Sequence, residues 1–173
     1  MTKNEQQAAT AHRTGWLKHI MVSTPKVTYR DVREPDFSWL LQLRKATMDP
    51  HLIASGFNPE ERSHIEAVQQ DYEWARIIRI DDEDAGMIKL VKNVRPWHLR
   101  HIQVLPAYQG MGIGQTVMLA CIGAAKLDAA DIVLNVLKVN PAQGLYRRLG
   151  FTVVDETDTG YKMLWSPDDM RRG

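Results

Sequence analysis

The amino-acid sequence predicts an α/β domain: a mixed, mostly antiparallel twisted sheet of about seven strands with helices on both faces. Two periodicities predict it, because apolar residues recur at every second position in some segments and at helical spacing in others. Along the chain these segments follow the order β α α β β β α β α β β. The run Ile132–Leu137 is almost continuously apolar, which is typical of a strand covered on both faces.

Composition limits the kind of protein. The chain has 173 residues, of which 44% are hydrophobic, a length and composition typical of one globular domain. Its 22 Lys and Arg residues against 21 Asp and Glu give a net charge of +1, which argues against a nucleic-acid or membrane partner. Cys121 has no second cysteine to pair with, and we expect it to fill space in a helix. We expect a cytoplasmic protein with a flexible tail at residues 1–25 and a single domain at 26–173.

The first elements are predicted from local patterns. A β-prone run at residues 27–30 predicts the first strand. Helical spacing at residues 37–48 predicts a helix that Asp49 and Pro50 end. Asn58 then reads as the cap of a second helix, with Pro at its first position and a capping box completed by Glu61.

The middle of the chain predicts a hairpin followed by an irregular strand. Alternating apolar residues on either side of a polar turn at residues 81–84 predict the hairpin. In the next strand, Trp97–Val104, the alternation slips by one residue, which predicts a β-bulge near Arg100. Residues 112–127 are apolar almost all round, which predicts a helix buried against the sheet.

The last elements are a short helix and a second hairpin. Asn140 and Pro141 have helix-start chemistry, and Gly150 stands where a left-handed cap would end that helix. Strands are predicted at residues 151–154 and 161–165, where Tyr161 and Trp165 lie on one face. An exposed aromatic edge on this hairpin would suit a homodimer contact, although alternating aromatic residues often face a core.

A glycine-rich loop, residues 109–114, joins the bulged strand to the apolar helix. Backbone N–H groups at a helix start lack intrahelical partners, and glycine lets a ligand approach them closely, so this loop suits an anion such as a pyrophosphate. A P-loop is excluded because no Gly-Lys-Ser or Gly-Lys-Thr is present, and a dinucleotide fingerprint is excluded because Gln115 replaces its third glycine.

The pattern that remains is Gln-x-x-Gly-x-Gly, formed by Gln109, Gly112 and Gly114. It resembles the acetyl-CoA signature of the GNAT family of N-acetyltransferases. The resemblance extends over residues 97–165 and includes Asn140-Pro141 and the segment Leu145-Tyr146-x-x-Leu149-Gly150-Phe151.

This resemblance implies acetyl-CoA as cosubstrate, no metal, and a primary amine that attacks the thioester directly in a ternary complex. It implies a sheet splayed beside the bulged strand, whose backbone pairs with the pantetheine amides. The implied cofactor contacts are Ile102, Gln103, Val104, Gln109, Gly110, Met111, Gly112, Ile113, Gly114 and Asn140. For Asn140, helix capping alone is an equal explanation.

Two residues are candidates for catalysis. Tyr146 stands where the family places the residue that protonates the departing CoA thiolate, although a core tyrosine is the alternative. The Glu that many family members carry on the bulged strand is missing, which leaves His101 or a water chain to accept the amine proton. The acceptor is either a small molecule or a peptide amine, and a CoA-binding regulatory module without turnover is the alternative function.

Overall fold

The computed structural model describes residues 25–167 of the chain. Most of the predicted tail, residues 1–25, lies outside this part. The strands are β1 Val27–Asp31, β2 Ala75–Ile80, β3 Glu83–Val91, β4 Trp97–Val104, β5 Ile132–Leu137, β6 Thr152–Glu156 and β7 Gly160–Trp165. The helices are α1 Phe37–Ala54, α2 Glu61–Gln69, α3 Ile113–Leu127 and α4 Ala142–Arg148.

The strands form one sheet in the order β1-β2-β3-β4-β5-β7-β6. All neighbours are antiparallel except β4 and β5, which are parallel. The predicted mixed, mostly antiparallel sheet of seven strands is therefore confirmed. Among the described residues, no helix is long and apolar enough to cross a membrane.

Helices cover the sheet unequally. On one face, α3 packs its buried residues on apolar side chains from β2 to β7, which form the larger core. On the other face, the smaller core joins α1 and α2 to β2 and β3 through Leu40, Leu43, Val68, Ala75, Ile77 and Met87. Neither β5, β6 nor β7 contributes to this smaller core. Within residues 25–167, no helix therefore contributes core residues over β5, β6 and β7 on this face.

The starts and ends of the first two helices differ from the prediction. Helix α1 runs through Pro50 to Ala54, because one proline removes one helical hydrogen bond while later bonds persist, such as Ser55 N–H to His51 O at 3.0 Å. Helix α2 begins at Glu61 without a side-chain cap, so the predicted capping box is absent. The Glu61 carboxylate instead pairs with the ammonium of Lys45 on α1.

Two further expectations need correction. Helix α3 is buried along one side only, since Leu119 is 49% exposed and Leu127 is 89% exposed. In the last hairpin, Trp165 is 1% exposed, and β7 lies between β5 and β6, so β7 is not a sheet edge. The aromatic residues of β7 pack in the core, which removes the basis for the expected dimer contact.

The bulge predicted near Arg100 is present. Lys89 of β3 lies opposite His101, but the next pair joins Leu90 to Leu99, so Arg100 is the extra residue on β4. On the other side of β4, pairing with β5 covers only Trp97, His98 and Leu99. The two parallel strands therefore separate at the bulge.

Candidate active site

A cleft of about 400 Å³ opens where β4 and β5 separate. One wall is β4 from Leu99 to Gln103, and the other is β5 from Leu134 to Leu137. Asn140, Tyr146 and the β6–β7 hairpin also line the cleft. Met48 lines it from the face of the sheet that carries α1.

The wall formed by β4 offers backbone groups. Ile102, Gln103 and Val104 pair with β3 on one side, and the pairing with β5 has already ended at Leu99. Within residues 25–167 no strand occupies the other side of this segment. An extended ligand with amide groups can therefore add to this free edge in the manner of a strand.

The glycine-rich loop leads into helix α3. Gly110 and Gly112 have φ angles of 77° and 78°, a left-handed conformation that other residues adopt at a cost. A Cβ atom at either position would have no heavy atom within 4 Å, so open space lies beside both glycines. Gly112 is the N-cap of α3, and the N–H groups of the first turn point out of the helix. These features together suit an anion.

The side chains of the loop have separate roles. Gln109 turns back, and its Nε2 donates a hydrogen bond to the Val104 carbonyl at 2.8 Å. Gln109 therefore ties the loop to the end of β4. Met111 is exposed, Ile113 is buried in the larger core, and a Cβ on Gly114 would meet Leu145 at 3.6 Å. Ile113 and Gly114 can therefore offer a ligand only their backbone groups.

Tyr146 lies on α4 and lines the cleft. Its ring packs on Phe151 with centroids 5.8 Å apart, and the residue is 6% exposed. Its hydroxyl makes no hydrogen bond with the described residues. Burial raises the pKa of Tyr146 to about 12, so the hydroxyl keeps its proton at neutral pH. The structure therefore presents a protonated, unpartnered donor to the cleft.

His101 follows the bulge on β4 and also lines the cleft. Its Nε2 lies 3.4 Å from Nη1 of Arg44 on α1, while its Nδ1 has no partner among the described residues. Burial, with the positive charges of Arg44, Lys89 and Arg100 next in order, lowers the pKa of His101 to about 3. The imidazole is neutral at pH 7 and is a much weaker base than a free histidine.

Asn140 takes part in the start of α4. Its Oδ1 accepts a hydrogen bond from the Ala142 N–H at 2.9 Å. This contact gives Asn140 the capping role that its place in the sequence suggested, and the residue also borders the cleft. Gly150, with φ of 93°, ends the helix in the left-handed conformation as expected.

Sequence reasoning missed several side chains around the cleft. Arg44 is one, because nothing in a helical pattern shows that a charged residue lies beside a strand histidine. Arg100, Asn135, Asp155 and Lys162 also line the cleft, and only the register of the strands brings them together. The side chain of Gln103 is 4% exposed with an unpartnered Oε1. Among the described residues, no cluster of three or more His, Cys, Asp or Glu could hold a metal ion.

Comparison with known families agrees with this geometry. Residues 72–153 match the family model described as "Acetyltransferase (GNAT) domain". This match includes β4, the glycine-rich loop, α3, β5 and α4. The resemblance inferred from residues 97–165 is thereby confirmed. No curated protein matches the sequence significantly.

Solved structures share the fold. The PaiA N-acetyltransferase from Thermoplasma acidophilum, determined with coenzyme A, has a TM-score of 0.64 at 18% identity, covering 82% of this chain and 99% of its own. The ribosomal-protein-alanine N-acetyltransferase from Escherichia coli has a TM-score of 0.62 at 18% identity, covering 82% and 94%. An Arabidopsis thaliana protein in complex with the bisubstrate analogue CoA-Ac-MVNAL has a TM-score of 0.59 at 17% identity, covering 81% and 98%.

Proposed function

Because residues 72–153 match the GNAT acetyltransferase domain, we propose that this protein transfers an acetyl group from acetyl-CoA to a primary amine. The observation that supports the proposal most strongly is the cleft between β4 and β5. It has a free strand edge on one wall and the hydroxyl of Tyr146 on its lining, and the anion-binding loop follows directly after β4. The transfer takes place in a ternary complex without an acyl-enzyme.

The protein holds acetyl-CoA through its backbone. The N–H groups at the start of α3, with the open loop around Gly110 and Gly112, bind the pyrophosphate. The free edge at Ile102, Gln103 and Val104 pairs with the pantetheine amides. Two solved structures of this fold contain coenzyme A or a bisubstrate analogue built from it, which supports this choice of ligand.

Tyr146 acts as the general acid. The amine nitrogen attacks the thioester carbonyl carbon, and collapse of the tetrahedral intermediate breaks the carbon–sulfur bond. The sulfur leaves as a thiolate, which takes the hydroxyl proton of Tyr146, and solvent restores that proton. The raised pKa of Tyr146 keeps its hydroxyl protonated over the working pH range.

The amine also loses a proton to form the neutral amide. His101 borders the cleft, but with a pKa near 3 it accepts a proton poorly. We therefore assign this proton to water in the cleft, and His101 to positioning that water through its unpartnered Nδ1. The positive charges of Arg44, Lys89 and Arg100 favour the same step, since they disfavour an ammonium ion nearby.

The first experiment is thermal unfolding with and without acetyl-CoA. A ligand at 100 times its dissociation constant stabilises a fold by about 2.7 kcal/mol, so the wild-type Tm should rise clearly. Gly112→Trp fills the space before the loop and should abolish the rise. Leu119→Gln, on the exposed side of α3, is the matched control and should keep it.

A second experiment follows release of the free CoA thiol with a panel of primary amines. Release that depends on the amine and falls in Tyr146→Phe supports catalysis. Binding of acetyl-CoA without amine-dependent release would instead indicate a regulatory CoA-binding module. Absence of any stabilisation at saturating acetyl-CoA would contradict both functions.

A further inference from the structure

A polar row crosses the sheet beside the cleft, on a face where no described helix packs over β5, β6 and β7. It consists of Asn135 on β5, Lys162 on β7 and Asp155 on β6, and all three are exposed cleft-lining residues. Lys162 lies directly opposite Asn135 on one side and Asp155 on the other. Directly opposed residues share a face of the sheet, so these three side chains stand side by side.

The face on which this row lies follows from its neighbours. Met163, next to Lys162, is 0% exposed and belongs to the core packed under α3. Because successive strand residues point to opposite faces, Lys162 points to the face that carries α1 and α2. Those helices cover β2 and β3 but contribute no core contact over β5, β7 or β6. In the part of the chain that the structure describes, the polar row is therefore the floor of an open surface that continues into the cleft.

The charged groups on this floor are available to a ligand. Lys162 has no hydrogen bond or ion pair with the described residues, although Asp155 lies directly opposite it. Arg100, at the bulge of β4, donates through Nε to Asp71 Oδ2 at 2.9 Å. That bond leaves the two terminal nitrogens of its guanidinium without a partner among residues 25–167.

Arg100 on β4 and Lys162 on β7 both line the cleft between β4 and β5. Burial and the positive charges of Arg100 and Lys162 lower the pKa of His98, whereas Asp71, which pairs with Arg100, raises it. Around the neighbouring His101, all four charged or titratable groups that affect it are basic: Arg44, Lys89, Arg100 and His98. Basic groups therefore outnumber acidic ones around His98 and His101.

We propose that the acceptor is an amine that also carries a carboxylate, held by the ammonium of Lys162 and the guanidinium of Arg100, with the Asn135 amide as a further donor. This inference rests on the proposed acetyl transfer and names its substrate class. A carboxylate satisfies two cationic donors at once. The excess of basic groups around His98 and His101 also lowers the population of the ammonium form of the adjoining amine, which is the form that cannot attack.

The test compares acceptors that differ only in this charge. Free L-amino acids are paired with their amides, which keep the amine and the side chain but lose the carboxylate. A parallel arm pairs short peptides beginning with Asp or Glu with peptides beginning with Asn or Gln, because an acidic first residue offers the same chemistry. The arm that shows the preference identifies the source of the carboxylate.

The wild-type protein should prefer the carboxylate member of a pair by about tenfold or more in kcat/KM, the effect of one charge-assisted hydrogen bond. Lys162→Met should bring that ratio close to one. Lys126→Met, which removes an exposed lysine from the last turn of α3, is the matched control and should keep the wild-type ratio. Equal use of both members, or a preference for polyamines that Asp155→Asn abolishes, would overturn the inference.

A binding measurement separates this inference from the proposed function. Calorimetry of the same pairs with the CoA-saturated protein needs no turnover. A carboxylate preference that disappears in Lys162→Met, without thiol release in the wild type, would support the carboxylate site and contradict acetyl transfer. Thiol release with no preference in either measurement would do the reverse.

Discussion

Leu99 on β4 and Leu134 on β5 form the last cross-strand pair before these two parallel strands separate. The separation begins at the bulge residue Arg100, which shifts the register of β4 against β3 by one position. A sheet that remained paired beyond Leu99 would have no cleft at this point. The local irregularity of β4 therefore creates the space in which Tyr146, His101 and the polar row meet.

Gly110→Ala should weaken acetyl-CoA binding and lower stability. The φ angle of 77° costs a residue with a Cβ about 1–2 kcal/mol, and the new methyl group enters the open space before the loop. Thermal unfolding with and without acetyl-CoA measures both effects. Gly123→Ala, on the exposed surface of α3 with open space around it, should gain about 0.5–1 kcal/mol and keep the ligand response. A Gly110→Ala protein with a wild-type ligand response would contradict the assignment of the loop.

Tyr146→Phe should lower kcat by about 100-fold or more while leaving acetyl-CoA binding intact. The hydroxyl has no partner in the described chain, so its removal should change the unfolding free energy by less than about 0.5 kcal/mol. Steady-state kinetics and thermal unfolding check the two expectations. The wild-type kcat should also show no loss from deprotonation of Tyr146 until the pH nears its pKa of about 12. A variant with unchanged kcat would remove Tyr146 from the mechanism.

His101 should make stability depend on pH. Its pKa falls from 6.5 to about 3 on folding, so between these values the unfolded chain binds the proton and the folded chain does not. The unfolding free energy should therefore fall as the pH is lowered from 6.5 towards 3, by on the order of 1 kcal/mol per pH unit. Urea unfolding at several pH values measures this slope. His101→Gln should show a shallower slope than the wild type, and an unchanged slope would contradict the low pKa of His101.

Lys89→Met should destabilise the protein by about 2–4 kcal/mol. Lys89 is 1% exposed, and its ammonium donates to the Ala67, Val68 and Gln70 carbonyls at 3.1, 2.9 and 2.5 Å. Methionine fills a similar volume but leaves these carbonyls at the end of α2 without a donor. Urea denaturation measures the loss. The exposed Lys126→Met should stay within about 0.5 kcal/mol of the wild type, and an equally small change for Lys89→Met would refute the role assigned to that ammonium.

The order of elements could be predicted because it depends on local patterns. Residue periodicity, β propensity and helix-start patterns together located the seven strands and four helices, and a slip in the periodicity located the bulge at Arg100. Helix limits were less predictable where tertiary contacts compete with local chemistry. Glu61 pairs with Lys45 of a neighbouring helix and does not form a capping box, and α1 continues through Pro50 because its remaining hydrogen bonds persist.

The sequence by itself determined the fold class, the glycine-rich loop before α3 and the place of Tyr146 on α4, since each depends on residues close together in the chain. Only the tertiary structure decided where β4 and β5 separate and which charges surround His101. It also brought Asn135, Lys162 and Asp155 into one row through the registers of three strands. These residues come from distant segments, and a side chain's electrostatic environment depends on distances in space that sequence separation does not record.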